Sequence, residues 1–302
     1  MRRQPCGIGG REVAKPQERP FDIRRRLTRE RGEQVPRVAT DAADTGDRLQ
    51  MTCIERDAHR AKTRRATRGE KYTRRTFVSV IVPTYNEAGS LPLLVERLAK
   101  AFAGREWELV VVDDGSPDGT ADLADRLGGT HPVRVIRRAG KAGLASAVVA
   151  GFAAAKGDVL LVMDADLSHP PEVAPQLADA IAEGADLAVG SRYAKGGGTQ
   201  DWPLKRRFVS RMACLMGNAL VPVRDSTSGF FALRRSVLDG VKLNPIGFKI
   251  GFEVMARGRY KNVVEVPYVF RDREHGKSKF GQREIFQYLV QLAQVARDRV
   301  IR

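Results

Sequence analysis

Cysteine is almost missing from this sequence of 302 residues: Cys6, Cys53 and Cys214 are the only three, widely scattered, with no Cys-x-x-Cys pair. That scarcity argues against a disulfide framework and against a zinc cluster, and it suits a reducing compartment. Long apolar runs are lacking too. No stretch reaches the roughly 18 uncharged apolar residues that a spanning helix needs, and no apolar segment of the secretory-signal kind follows Met1-Arg2-Arg3. A protein of this make-up that works at a membrane is expected at its cytoplasmic surface.

Positive charge is what the chain has in excess, with a formal net charge of +16. Residues 1–76 carry 21 Lys and Arg against 11 Asp and Glu, a net of +10, which leaves +6 for the other 226 residues. Clusters such as Arg24-Arg25-Arg26 and Arg64-Arg65, few aromatics and no sustained apolar period give this stretch the composition of a disordered basic tail. A solvated extension is the plain reading. Attraction to anionic lipid or to nucleic acid is the functional one, and charge alone does not separate those two targets. Met51 leaves room for a later start of the native product.

From Phe77 the texture changes. Val78-Ser79-Val80-Ile81-Val82 is a β-branched run ended by Pro83, and Leu91, Leu94, Val95 and Leu98 then recur at helical spacing. The unit repeats: strands at 109–112, 133–136, 159–163 and 187–189 alternate with helices near 120–127, 145–155 and 172–182. Nearly continuous apolar strands alternating with helices predict an α/β fold, a mostly parallel sheet covered on both faces. Ligands of such sheets bind at the carboxyl ends of the strands. Beyond Arg192 the alternation weakens, and Gly196-Gly197-Gly198 with Asp201-Trp202-Pro203 reads as a flexible loop, either a lid or a plain surface turn. Helical patterns return at 204–220 and 252–257, with short strands at 263–266 and 268–270. A last helix from about Gln282 carries Ile285, Leu289, Leu292 and Ala296 as one stripe, to pack on the domain or lie at a membrane surface. The expected organisation is a tail over 1–76, one α/β domain over 77–281 and a carboxyl-terminal amphipathic helix over 282–302.

Three polar clusters fall at three strand ends: Pro83-Thr84-Tyr85-Asn86-Glu87, then Asp113-Asp114-Gly115-Ser116-Pro117-Asp118-Gly119, then Asp164-Ala165-Asp166. Each alone also reads as turn and cap residues. Together they line one crevice. Cleaving a sugar from a nucleoside diphosphate puts charge on the leaving pyrophosphate, which a divalent cation neutralises as a Lewis acid. Hard cations such as Mg²⁺ or Mn²⁺ need only one or two carboxylates when phosphates supply the rest. Asp164 and Asp166, two apart on an extended strand end, are expected to point the same way and fit such a bridge.

The order of these elements resembles glycosyltransferase family 2 with its GT-A, Rossmann-like fold, and within it the dolichol- or polyprenol-phosphate mannose synthase group. The resemblance covers about Val78 to Tyr288 through PTYNE at 83–87, DDGSPDGT at 113–120, DADLSHPPE at 164–172, GSRY at 190–193, DSTSGF at 225–230 and DREHGKSKFG at 272–281. It implies inverting transfer of mannose from GDP-mannose to a dolichyl or polyprenyl phosphate, with Mg²⁺ or Mn²⁺ as cofactor. Pro83, Tyr85, Glu87, Val112 and Asp114 would hold the nucleoside, and Asp164, Ala165 and Asp166 would surround the diphosphate and metal. Arg192, Arg273 and Lys279 would grip phosphates, with Asp166 and Arg192 closest to the chemistry. Arginine and lysine suit that task, the one as a bidentate fork and the other as a point charge.

A lipid phosphate acceptor, its second pKa about 6, is largely ionised near neutrality and needs no general base. His169 and His275 are the nearest candidates for a base, and His169 is read as a loop residue and His275 as part of the basic phosphate loop. The chain departs from the family at Gly143-Leu144-Ala145, where Gly-Leu-Gly is common, and at Ser168, where some relatives carry a Gln that can join the metal shell. Many relatives also carry carboxyl-terminal spans, so contact with lipid would fall to a separate membrane-spanning partner, the last helix or the basic tail. Rival readings are a UDP-glucose or UDP-N-acetylglucosamine donor on the same lipid phosphate, and a catalytically silent nucleotide-sugar or nucleic-acid binding protein. Intact Asp164, Asp166, Arg192, Arg273 and Lys279 argue against the silent protein, and nucleic acid is disfavoured as a partner.

Overall fold

The structure, a computed structural model, describes residues 76–244, 247–272 and 282–300. The expectations for the basic tail up to residue 75 and for Arg273, His275 and Lys279 lie outside the described residues. In chain order the elements are β1 (Val78–Thr84), α1 (Leu91–Ala101), β2 (Trp107–Asp113), α2 (Thr120–Leu127), β3 (Val133–Arg137), α3 (Leu144–Ala154), β4 (Val159–Val162), α4 (Ala174–Ala182) and β5 (Leu187–Ser191). They continue with β6 (Gly198–Thr199), α5 (Leu204–Asn218), β7 (Phe231–Arg234), α6 (Ile250–Arg257), β8 (Val263–Pro267), β9 (Val269–Phe270) and α7 (Gln282–Val300).

Seven strands form one sheet in the order β3-β2-β1-β4-β7-β5-β8. All run parallel except β7, which lies antiparallel between β4 and β5. The mostly parallel sheet is thus as the sequence predicts, while β7 is an addition. Its apolar run resembles a strand locally, but only long-range pairing of Leu233 with both Leu160 and Leu187 gives it a place in the sheet.

The double covering explains the unbroken apolar strands. Side chains alternate across a strand, so Val78, Val80 and Val82 enter one core layer with Leu91, Leu94 and Leu98 of α1. Ile81, Val110 and Val112 enter the other, with Val148 and Phe152 of α3. Helix α3 sits hard on this second face because Gly151 has no side chain: a Cβ there would meet Ile81 Cγ2 at 2.3 Å. A buried carboxylate at the amino edge of the sheet is wholly structural. Glu108 accepts hydrogen bonds from Ser79 Oγ at 2.6 Å, the Lys156 N–H at 2.7 Å and Arg134 at 3.1 Å. Burial pushes its pKa up, but these donors outweigh burial and hold it below the usual range. The stability it contributes is present at neutral pH and is lost only as pH falls through that lowered value.

Two expectations are corrected. The Gly196–Gly198 loop is pinned, because Gly198 and Thr199 pair in parallel with Val269 and Phe270, and Trp202 is buried with its indole N–H on Asp272. On α7 the predicted stripe packs only in part: Leu292 packs on the core beside the buried Tyr288, Gln291 and Val295, whereas Ile285 and Leu289 are exposed. The reason is polar anchoring. Tyr288 donates to the Ala213 carbonyl at 3.0 Å, Gln291 donates to Glu253 at 3.2 Å, and Asp298 pairs with Arg257 at 2.7 Å. Such bonds rotate a helix away from the orientation its apolar residues alone would choose.

Gly151→Val is expected to destabilise the fold by about 1–3 kcal/mol through overpacking, lowering Tm by several degrees in a thermal melt. Combining it with Ile81→Ala opens space and should recover part of the loss; strictly additive losses would dismiss the contact.

Candidate active site

The ends of β1 and β2 supply one wall. Asp113 accepts Thr84 Oγ1 at 3.0 Å and the Ser116 N–H at 2.9 Å, and Asp118 accepts the Ala88 and Thr120 N–H groups, both at 3.1 Å. These two carboxylates staple loops, the turn-and-cap role. Asp114 differs. It accepts Arg138 Nη1 at 2.5 Å and the Gly143 N–H at 2.9 Å, a donor placed by a glycine at φ 100° where other residues would be strained. Tyr85 is half-buried with Lys141 Nζ 4.2 Å from its ring centroid. Glu87 accepts the Ser90 hydroxyl at 3.0 Å, and Pro83 is half-buried beside them. Pro83, Tyr85, Glu87 and Asp114 thus gather at one edge. Val112 does not present its side chain there, because that side chain is wholly buried in the core beside α3. Arg138 and Lys141 were not singled out in sequence, although two cations just past a strand end are a legible signal.

Strand β4 ends at Val162, so Asp164-Ala165-Asp166 occupies a bend and not an extended strand end. The two carboxylates are consequently unequal: the Asp164 side chain is 31% exposed, while Asp166 is 5% exposed and accepts the Ser168 N–H at 3.1 Å. Ala165 is buried between them. Leu167 closes the bend at φ 63°, a costly conformation for a branched side chain, stabilised by burial of that side chain in the core. His169 is more than a loop residue. It is buried, stacks on Phe230 at 5.0 Å, and its Nδ1 accepts the Asp164 N–H at 3.1 Å. That bond needs the proton on Nε2 and makes His169 the clamp on the Asp164 main chain.

The donor set fits a hard cation. Among the described residues no group of three or more His, Cys, Asp and Glu side chains forms a ready cage, but Asp164 and Asp166 offer carboxylate oxygens in one bend. The Ser168 hydroxyl beside them is buried without a hydrogen-bond partner among the described residues. A buried orphan hydroxyl is rare in folded proteins. Two carboxylates and a hydroxyl, completed by phosphate and water oxygens, match what Mg²⁺ or Mn²⁺ accepts.

Arg192, at the end of β5, is buried in a bidentate pair. Its Nε donates to Asp225 Oδ2 at 2.7 Å, its Nη2 to Oδ1 at 2.6 Å and to Thr227 Oγ1 at 2.8 Å, and its main-chain N–H to Oδ2 at 2.9 Å. The pair is buried, not a surface ion pair. Burial alone would raise the Asp225 pKa, but Arg192 outweighs it and holds the carboxyl below the usual range. Reciprocally, Asp225 overcomes the burial of Arg192 and raises its guanidinium. Lys249 completes this corner: its Nζ donates to the Thr227 carbonyl at 3.0 Å. Neither residue has a role assigned from sequence: Asp225 opens the DSTSGF stretch among polar neighbours that read as a turn, and Lys249 is a lone charge between Phe248 and Ile250 with no spacing signature.

Asp225→Asn should leave Arg192 buried and uncompensated, costing about 3–5 kcal/mol and lowering Tm by roughly 10 °C for a domain of this size. A melt within a degree of the parent would show that the pair does not hold this edge. Because the Asp225 pKa is lowered, the pair's contribution is present at neutral pH and should be lost only as pH falls below the ordinary carboxylate range.

Comparison with known proteins places these features. The model of the family described as "Glycosyl transferase family 2" matches residues 79–242, more than half of the chain. The chain is 51% identical over 216 residues to the dolichol-phosphate mannosyltransferase of Pyrococcus furiosus, covering 70% of this chain and 61% of that protein. It therefore spans about three fifths of that relative's length. It is 42% identical to the polyprenol monophosphomannose synthase of Mycolicibacterium smegmatis, covering 74% of this chain and 87% of that one. Among solved structures, the glucosyl-3-phosphoglycerate synthase of Mycobacterium tuberculosis, in complex with Mn²⁺, UDP and glucosyl-3-phosphoglycerate, superposes with a TM-score of 0.56 at 22% identity. That match covers 84% of this chain and 86% of the other, and it establishes the GT-A-like fold. The polar strand ends, the sheet order and these matches agree, and the chain belongs to glycosyltransferase family 2.

Proposed function

We propose that this chain transfers mannose from GDP-mannose, with inversion, to the phosphate of a dolichyl or polyprenyl lipid, aided by Mg²⁺ or Mn²⁺. The observation that carries the reading is the Asp164–Asp166 bend with its orphan Ser168 hydroxyl, facing a wall of Asp114, Tyr85 and Glu87 suited to a nucleoside. The names of the two mannosyltransferase relatives supply the sugar and the acceptor class. A bound cation would neutralise charge growing on the leaving nucleoside diphosphate. Asp164 and Asp166 would hold it, and His169 would keep Asp164 in place. Arg192, with Arg273 and Lys279 beyond the described residues, would supply positive potential for the phosphates. The acceptor is already ionised near neutrality, so no proton has to be removed before it attacks.

The surface supports a place at a membrane. Among the described residues no helix is long and apolar enough to cross a bilayer. Helix α5 instead exposes Leu204 (81%), Phe208 (68%), Met212 (41%) and Leu215 (63%) along one stripe, interleaved with Lys205, Arg206, Arg207 and Arg211. Ile285, Phe286 and Leu289 of the neighbouring α7 are exposed as well. An apolar stripe with basic residues suits the interface of an anionic bilayer. The stripe starts two residues after Trp202, whose ring lies 5.6 Å from the Arg192 guanidinium, so a lipid held there would present its phosphate close to the site.

Incubation with labelled GDP-mannose, polyprenyl phosphate and Mg²⁺ should move label into the organic phase, with UDP-glucose inactive. Label from UDP-glucose alone would assign the donor differently, and transfer only to a soluble sugar would refute the acceptor. Asp166→Ala should lower kcat at least about a hundredfold with Tm nearly unchanged; parental turnover would sink the metal assignment. Phe208→Ser/Leu215→Ser should weaken co-sedimentation with phosphatidylglycerol vesicles about tenfold or more, and unchanged binding would remove α5 as the docking face.

A further inference from the structure

The pairing of Arg192 with Asp225 leaves the described site with an unfilled role. Nε, Nη2 and the main-chain N–H of Arg192 are all committed to Asp225 and Thr227, and the rings of Tyr193, Trp202 and Phe270 stand 5.5–5.9 Å from the guanidinium carbon. An arginine so held cannot turn its fork to a phosphate without abandoning a buried carboxylate. Lys249 is differently placed. It directly precedes α6, and one of its three donors reaches the Thr227 carbonyl at 3.0 Å. A lysine serving only to neutralise Asp225 would sit on its carboxylate, yet those oxygens are taken by Arg192 and by the Cys214 thiol at 3.5 Å. Two cations therefore flank a single buried carboxylate, and the loop whose Thr227 carbonyl Lys249 holds runs on to Gly229, where a Cβ would lie 3.6 Å from His169 Cε1, the ring that clamps Asp164.

We propose that Lys249 is a phosphate-contacting residue of the site, its ammonium donating to a phosphate oxygen bound beside Asp164, while Arg192 remains on Asp225 as a positioning residue. This rests on the reading that the site takes phosphate-bearing ligands. The oxygen belongs either to the nucleoside diphosphate or to the phosphate monoester of the lipid; the chemistry of contact is the same. Burial and the neighbouring Arg192 push the ammonium down to about 8, opposed by Asp225, Cys214 and Asp164. Among the described residues those four groups, from the end of β5, the 225–230 loop, α5 and the bend after β4, are the charged and titratable neighbours that act on it. A partly desolvated ammonium that has no carboxylate of its own among the described residues is stabilised by an arriving anion.

The test uses the full chain as wild type, Lys249→Met and Lys249→Arg, titrated with GDP plus Mg²⁺ and separately with farnesyl phosphate. The expected result is a loss of about tenfold or more in affinity for one of these probes in Lys249→Met, with most of it regained in Lys249→Arg and Tm unaltered. The affected probe identifies the source of the phosphate. For that probe the wild-type affinity should also decline as pH rises through about 8, and Lys249→Arg should abolish the decline. Unchanged affinity for both probes overturns the proposal, and so does a loss that follows a fall in Tm and is not rescued by arginine. Both titrations measure binding, so a wild-type protein that binds GDP in a Lys249-dependent way but transfers no mannose would refute the proposed reaction and leave this inference standing.

Discussion

The buried pair of Arg192 and Asp225 is the interaction on which the described site depends. Taking both charges out of water costs several kcal/mol per ion, and the geometry offsets this with three hydrogen bonds from one residue to one carboxylate. Four elements meet there. Arg192 directly follows β5, Asp225 opens the loop that leads to β7, Cys214 of α5 lends its thiol, and Thr227 passes its carbonyl to Lys249 at the start of α6. The aromatic rings of Tyr193, Trp202 and Phe270 surround the guanidinium. Phe270 is placed by the short β6–β9 ladder, Trp202 by its indole N–H on Asp272 and Tyr193 by its hydroxyl on Ser210. A buried ion pair is weak evidence for stability in general; here it fixes where the loops of one sheet edge can lie.

Around that edge one residue type serves several ends, and environment decides which. Asp113 and Asp118 are saturated by hydroxyl and amide donors and act as staples. Asp114 is held by Arg138 and a glycine N–H, Asp225 by Arg192, and Glu108 lies at the opposite edge of the sheet in a closed network of its own. Asp164 and Asp166 stand apart because they share a strained bend with a hydroxyl that is unpartnered among the described residues. His169 is held between Phe230, Tyr268 and the Asp164 main chain, a setting for a clamp and not for a proton shuttle. That division suits a reaction whose nucleophile arrives already charged.

The exposed faces of α5 and α7 extend this logic outward. Tyr288 of α7 donates to the Ala213 carbonyl of α5, so the two helices are joined by a polar contact while Phe208, Leu215, Phe286 and Leu289 remain exposed. Arg206 links this surface to the site. It pairs with Asp272 at 2.7 Å and stacks 3.9 Å over Trp202, the same ring that faces Arg192.

Much of the fold was written locally. The β-branched runs at 78–82, 109–112 and 187–189 and the helical spacing between them required a sheet buried on both faces, because no other packing covers strands that are apolar on both sides. The polar residues at 83–87, 113–118 and 164–166 had to fall at its carboxyl edge, since each directly follows a strand. What tertiary structure alone decided depends on residues distant in sequence. Strand β7 entered the sheet through pairing across more than 40 residues, and α7 left Ile285 and Leu289 of its expected apolar stripe exposed because Tyr288, Gln291 and Asp298 found polar partners elsewhere. Arg192 became a buried partner of Asp225, 33 positions away. Periodicity records which face of an element is apolar; it does not record which buried charge will find which counter-charge, because that pairing is settled by distances in the folded chain.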